Sequence, residues 1–145
     1  MSTRLSVTGF TLLELLMVIV LMAVALGVLG VGLGRGMDAA HDRQALREMV
    51  AALRQTRTQA VLSGAPVQMR FNLDERSFQA PGQARRQWPA NLAVQLTTGA
   101  ELGQAIAFFP DGSSSGGHLL VERAGQHWRI DVGWLNGSVR WQAVQ

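Results

Sequence analysis

The sequence predicts an α+β protein: a long N-terminal helix, apolar at first and amphipathic later, packed against an antiparallel β-sheet domain of two small sheets. Three observations carry this. Apolar residues gather at one end, where Phe10 to Gly34 include a single charged side chain, Glu14. Three- and four-residue apolar spacing then runs to Val61 and stops at Gly64-Ala65-Pro66. Beyond Pro66 the apolar period falls to two. The chain has 145 residues and a mean hydropathy of +0.13. Charged residues make up 16% of it, against roughly 25% in ordinary globular domains. All 13 basic residues are arginine and Lys, Tyr and Cys are absent, so a formal excess of +3 lifts the pI to 11.3. That pI is therefore weak support for a nucleic-acid partner. The lack of cysteine excludes a disulfide framework, a thiolate zinc site and a cysteine nucleophile.

The apolar run comes first. As a helix, its 25 or so residues rise about 37 Å, enough to cross a hydrocarbon core of roughly 30 Å. It is too long for the h-region of a secretory signal and lacks a small-residue cleavage site. Residues 10–36 are therefore assigned to a membrane helix. The arginines after it, Arg35, Arg43 and Arg47, outnumber Arg4 before it, which mildly favours a cytoplasmic C-terminal side. Glu14 reads either as an interfacial acid or as a carboxylate kept for a positive partner, because a charge at mid-bilayer costs about 3 kcal/mol. Gly27, Gly30, Gly32, Gly34 and Gly36 crowd the distal third. They predict a stretch that bends or melts outside the bilayer, and their small-xxx-small spacing suits close helix packing.

From Asp38 to about residue 63 the helix turns amphipathic, with Leu46, Met49, Val50, Leu53, Ala60 and Val61 as its apolar stripe. Arg43, Arg47, Arg54 and Arg57 fall within about 80° of one another beside that stripe. They form either a rail for polyanion contact or a solvated edge whose stems cover the domain below. Glu48 and the modest net charge favour the edge.

Strands follow. Val67, Met69, Phe71 and Leu73 alternate with polar residues, and Asp74-Glu75-Arg76 turns into a short strand around Phe78. Pro81 to Asn91 reads as a loop pinned by Trp88. Leu92, Val94 and Leu96 make a strand, residues 97–104 a loop, and Ala105 to Phe109 a short apolar strand. The last three strands are Leu119 to Arg123, His127 to Val132 and Ser138 to Val144. Ala124-Gly125 and Asn136-Gly137 supply tight turns between them, and Trp128, Trp134 and Trp141 are assigned to core and strand-pair positions.

Between strands lies Pro110-Asp111-Gly112-Ser113-Ser114-Ser115-Gly116-Gly117. It matches G-x-S-x-G at Ser114, but a nucleophile elbow needs a helix next, and a strand follows here. The stretch is read as a flexible loop whose Asp111 caps the turn. His41, His118 and His127 lack metal-ligand spacing, so neither metal nor cofactor is expected.

Gly9-Phe10-Thr11-Leu12-Leu13-Glu14, followed by the apolar helix, resembles the prepilin signature of type IV pilins and type II secretion pseudopilins. The resemblance implies a leader of residues 1–9, cleavage by prepilin peptidase between Gly9 and Phe10, and N-methylation of Phe10. Glu14 would be the assembly carboxylate that meets a neighbour's terminal amine. Many family members carry a proline in the apolar run, and this chain has glycines there instead. Phe108 to Gly117, His127 to Val132 and the turn from Trp134 to Arg140 resemble the H-type minor pseudopilins of type II secretion. FimT-like minor pilins share the looser pattern. What this implies is a non-enzymatic structural subunit, anchored once in the bacterial inner membrane, with residues 37–145 as a periplasmic domain; this overrides the weak arginine count. The implied partners are other minor pseudopilins of the tip complex, the major pseudopilin, the inner-membrane secretion platform and the peptidase. The implied role is assembly into the pseudopilus that drives export across the outer membrane. The alternative is a FimT-like minor pilin that binds DNA during natural transformation, resting on the helix arginines and Arg85-Arg86.

Overall fold

Thr11 opens the fold by capping a helix. The computed structural model describes the backbone of residues 11–144 and the side chains of residues 11–27 and 40–144. Helix α1 spans Leu12–Ser63 and is helical throughout, including at its glycines. Gly64 ends it at φ +64°, a left-handed conformation open to glycine without a Cβ penalty, and its N–H returns to the Ala60 carbonyl at 3.1 Å. The chain divides into two units, one ending at Ala39 and one beginning at Ala40. Among the described residues no helix is long and apolar enough to cross a membrane. The apolar run of the sequence continues to Gly34, and the side chains of residues 28–39 lie outside the described set.

The second unit packs the later part of α1 on two antiparallel four-stranded sheets. One has the order β3-β2-β1-β5, with β1 Val67–Asn72, β2 Ser77–Gln79, β3 Arg86–Gln87 and β5 Ala105–Phe108. The other has the order β4-β6-β7-β8, with β4 Ala93–Thr97, β6 Gly117–Arg123, β7 Gln126–Val132 and β8 Val139–Val144. The expected alternation holds in β1, where Met69 and Phe71 are buried and Gln68 and Arg70 exposed. In β7, Ile130 and Val132 face the core and Trp128 packs at its margin. Leu46, Met49 and Leu53 of α1 meet Met69, Ile106, Phe108, Leu119 and Ile130, all fully buried. Each such side chain contributes about 1.5–3 kcal/mol through the area it removes from water.

Several expectations need correction. Val61 is 45% exposed, while the apolar stripe also takes in Ala45, Ala52 and Thr56. Thr56 is tolerated because its hydroxyl donates to the Ala52 carbonyl at 2.8 Å. The loop after Pro81 contains β3, which pairs Arg86 with Phe78 and Gln87 with Ser77. Trp88 does pin that loop, buried and stacked on Phe78 with ring centroids 6.4 Å apart. Residues Ala100–Leu102 form a single 3-10 turn within the expected loop. Asn136-Gly137 closes a longer loop in which the Gly133 N–H donates to the Ser138 carbonyl. Trp134 and Trp141 are 70% and 42% exposed and so are not core residues, though Trp141 holds a strand-pair position opposite Ile130.

Two ion pairs tie α1 to this unit. Asp42, 2% exposed, meets Arg123 at the end of β6, and Glu48 meets Arg86 of β3 at 3.6 Å.

Candidate assembly surfaces

The first unit presents an apolar helix with one carboxylate near its start. From Leu12 to Leu26 the large apolar side chains are 38–82% exposed. Glu14 lies in the first turn, where unpaired backbone N–H groups and the helix dipole favour a negative charge. Its N–H donates to Thr11 Oγ1 at 3.3 Å. Thr11-Leu12-Leu13-Glu14 is thus a capping-box sequence, with Thr11 at the cap and Glu14 three residues on. That T-x-x-E spacing is legible in the sequence; the half of the box that forms is the bond from the Glu14 main-chain N–H to Thr11, and the Glu14 carboxylate makes no hydrogen bond among the described residues. Gly9 and Phe10, the cleavage and methylation positions, lie outside the described residues, as does the 1–9 leader.

The four helix arginines split into two pairs. Arg43 and Arg47 are exposed and have no hydrogen-bond or ion-pair partner among the described residues. Arg54 donates from Nη2 to the Val139 carbonyl at 3.1 Å. Arg57 donates from Nε to the carbonyls of Gly112, at 3.0 Å, and Asn136, at 3.1 Å. The arginines nearer the end of the helix therefore act as staples to the backbone of the sheet domain.

Arg57 joins two loops, residues 109–116 and 133–138. A Cβ on Gly137, which sits at φ +60°, would run into the Gly112 carbonyl and stand 2.8 Å from Arg57 Nε. Only glycine fits there. Asp111 Oδ1 accepts the Ser113 hydroxyl at 2.6 Å and the Ser113 N–H at 3.0 Å. The hydroxyl bond first, and the N–H bond second, hold the Asp111 carboxyl below its usual value. Ser114 is buried; its hydroxyl donates to the Gly133 carbonyl at 3.0 Å and accepts the Gly116 N–H at 3.0 Å. His118 and Asp131 face each other in the β6–β7 register, and neither is hydrogen-bonded to Ser114 among the described residues. The two loops end in exposed apolar side chains: Phe109 at 37%, Trp134 at 70% and Leu135 at 70%. Among the described residues no group of three or more His, Asp or Glu side chains is placed to hold a metal.

Residues 45–136 match the family model described as Type II transport protein GspH. The chain is also similar to the Type II secretion system protein H of Xanthomonas campestris pv. campestris, at 37% identity over 142 residues, covering 94% of this chain and 84% of that protein. Among solved structures it resembles the minor pseudopilin EpsH from the Type 2 Secretion System of Vibrio cholerae, with TM-score 0.58, 17% identity, and coverage of 71% of this chain and 97% of that one. The type IV minor pilin FimU of Pseudomonas aeruginosa gives TM-score 0.58 at 14% identity, covering 74% of this chain and 96% of that one. These two structural likenesses concern the fold alone.

Proposed function

Since the chain belongs to the family of Type II transport protein GspH, we propose that it serves as a minor pseudopilin of the type II secretion system, processed at its N-terminus and assembled into a periplasmic pseudopilus. The observation that carries the assembly role is the apolar helix from Leu12 to Leu26, exposed around a single carboxylate. So much apolar surface requires a bilayer or the packed core of a filament around it. In this reading residues 10–36 anchor the precursor in the inner membrane with the domain in the periplasm. Prepilin peptidase removes residues 1–9 and Phe10 becomes the methylated terminus. On assembly Glu14 leaves the headgroup region for a dry filament core, where an unpaired carboxylate is costly and the terminal amine of a neighbouring subunit compensates it. Other minor pseudopilins, the major pseudopilin and the secretion platform are the partners, and the subunit acts by packing, without catalysis.

The DNA-binding alternative is not favoured: Arg54 and Arg57 donate to main-chain carbonyls and Arg85 and Arg86 sit in ion pairs, which leaves it Arg43 and Arg47. The decisive test of processing is the intact mass of the protein extracted from membranes of cells that carry the secretion system. A species beginning at Phe10 with one added methyl is expected; an unprocessed N-terminus overturns the reading.

A further inference from the structure

The loop between β7 and β8 carries a reactive pair that the assembly role does not use. Asparagine occurs three times in the chain, at Asn72, Asn91 and Asn136. Leucine follows the first two, and glycine follows Asn136. The side-chain amide of an asparagine can be attacked by the main-chain nitrogen of the next residue. A side chain on that residue hinders the approach, and glycine has none. Asn136 is exposed to water, while Gly137 beside it is buried.

The hydrogen bonds around this pair divide into one that activates and two that restrain. The Ser138 N–H donates to Asn136 Oδ1 at 3.0 Å, which polarises the side-chain carbonyl toward addition at Cγ. The attacking nitrogen is tied elsewhere, because the Gly137 N–H donates to the Gly133 carbonyl at 2.8 Å. Arg57 holds the peptide unit between the two residues. Its Nε donates to the Asn136 carbonyl at 3.1 Å and to the Gly112 carbonyl at 3.0 Å. Gly137 sits at φ +60° against the Gly112 carbonyl, with no room even for a Cβ. Its nitrogen is therefore held in place while the two loops stay joined.

We infer that Asn136 is a site of spontaneous deamidation, with water as co-reactant, and that the Arg57 junction restrains it. When the junction opens, the Gly137 nitrogen gives up its proton and bonds to Asn136 Cγ. The bond from Cγ to the side-chain nitrogen breaks, and ammonia leaves with that proton. Water then hydrolyses the resulting five-membered succinimide at either carbonyl, giving aspartate or isoaspartate, each with a new carboxylate. The two products act differently. Aspartate keeps the length of the main chain and lets the junction close again. Isoaspartate inserts a methylene before Gly137, where the packing is already full, and keeps the loop of residues 133–138 open. Trp134 and Leu135, exposed in that loop, then lose their fixed position. The inference is independent of the secretion role.

The test incubates the full chain in detergent micelles at mildly alkaline pH and follows the peptides containing Asn72, Asn91 and Asn136 by mass spectrometry. The exchange of NH2 for OH marks deamidation, and electron-transfer fragmentation separates isoaspartate from aspartate. Modification is expected at Asn136 alone. It should run at least tenfold slower in the native chain than in the same chain unfolded in guanidinium chloride, since the native reaction waits on local opening. Arg57→Ala should speed the native reaction at least threefold while the β7 amides stay protected from hydrogen exchange. If that variant unfolds, the comparison of native and unfolded wild type decides. No modification of Asn136 in the unfolded chain, a native rate equal to or above the unfolded one, faster modification at Asn72 or Asn91, or an unchanged rate in folded Arg57→Ala would each overturn the inference.

Discussion

Arg57 donates its Nε proton to the carbonyl oxygen of Gly112 at 3.0 Å, and the same proton is shared with Asn136 at 3.1 Å. A helix side chain thus fixes two loops that lie 55 and 79 residues further along the chain. Arg57→Ala is expected to destabilise the domain by about 1.5–3 kcal/mol, the range for hydrogen bonds to a charged donor. Amide exchange at Gly137 should speed up more than at β7. Urea unfolding shows the first effect and hydrogen exchange the second. A loss below about 0.5 kcal/mol would mean the loops hold themselves.

Gly137→Ala tests the same junction from the opposite side. The new methyl meets the Gly112 carbonyl and Arg57 at a residue already in left-handed conformation. Strain of about 1–3 kcal/mol is expected, read as a fall in the thermal midpoint.

Asp42 and Arg123 form a pair in which the carboxylate is almost wholly enclosed, with 3% side-chain exposure against 20% for the arginine. Asp42→Asn or Arg123→Leu alone should cost about 3–5 kcal/mol, because each leaves an uncompensated buried partner. The double replacement Asp42→Leu/Arg123→Leu should recover most of that loss. A double-mutant cycle in urea measures the coupling, and strict additivity would show that the pair does not interact.

The Asp111 carboxyl is stabilised in its charged form by Ser113, so it titrates below the ordinary 3.8. A depressed folded-state value means this contribution is present above the unfolded value and disappears as pH falls through the folded one. The loop should therefore loosen only below about pH 4. Ser113→Ala removes the leading cause and should bring the carboxyl back toward its ordinary value. A carboxyl-detected NMR titration reads both, and an unchanged midpoint in Ser113→Ala would contradict the assignment.

Two substitutions separate the roles of Glu14. Glu14→Gln keeps the residue type that a capping box accepts but removes the charge; Glu14→Ala removes both. If amine compensation dominates, both variants are cleaved normally and both enter the pseudopilus poorly, as immunoblots of sheared filament fractions would show. Wild-type incorporation of Glu14→Gln would overturn the amine-compensation account.

What the sequence disclosed follows from how local each cause is. The helix stop at Gly64, the alternation of Met69 and Phe71, and the turn at Ala124-Gly125 are all set by residues within a few positions. Val61 followed the helical period yet is exposed, because burial there depends on what the sheets cover. The expectation of core and strand-pair positions holds in part: Trp141 pairs with Ile130 but on the outermost strand, where one face stays open, and Trp134 sits in a loop. β3 has two exposed residues and no alternation, so no pattern could announce it. The split among the arginines was invisible for the same reason: Arg47 and Arg57 look alike until the partner carbonyls of distant loops arrive.

The β6–β7 turn leaves stability unrealised. Ala124 occupies φ +45° beside Gly125 at +79°, and alanine adopts that left-handed conformation at a cost of about 1–2 kcal/mol. Asparagine or glycine at that position would relieve most of this strain, yet alanine stands there. A sequence retains such a blemish when its working stability already clears the threshold its task demands. Beneath the hairpin the buried Leu119, Val121 and Ile130 hold the register while the turn carries the strain.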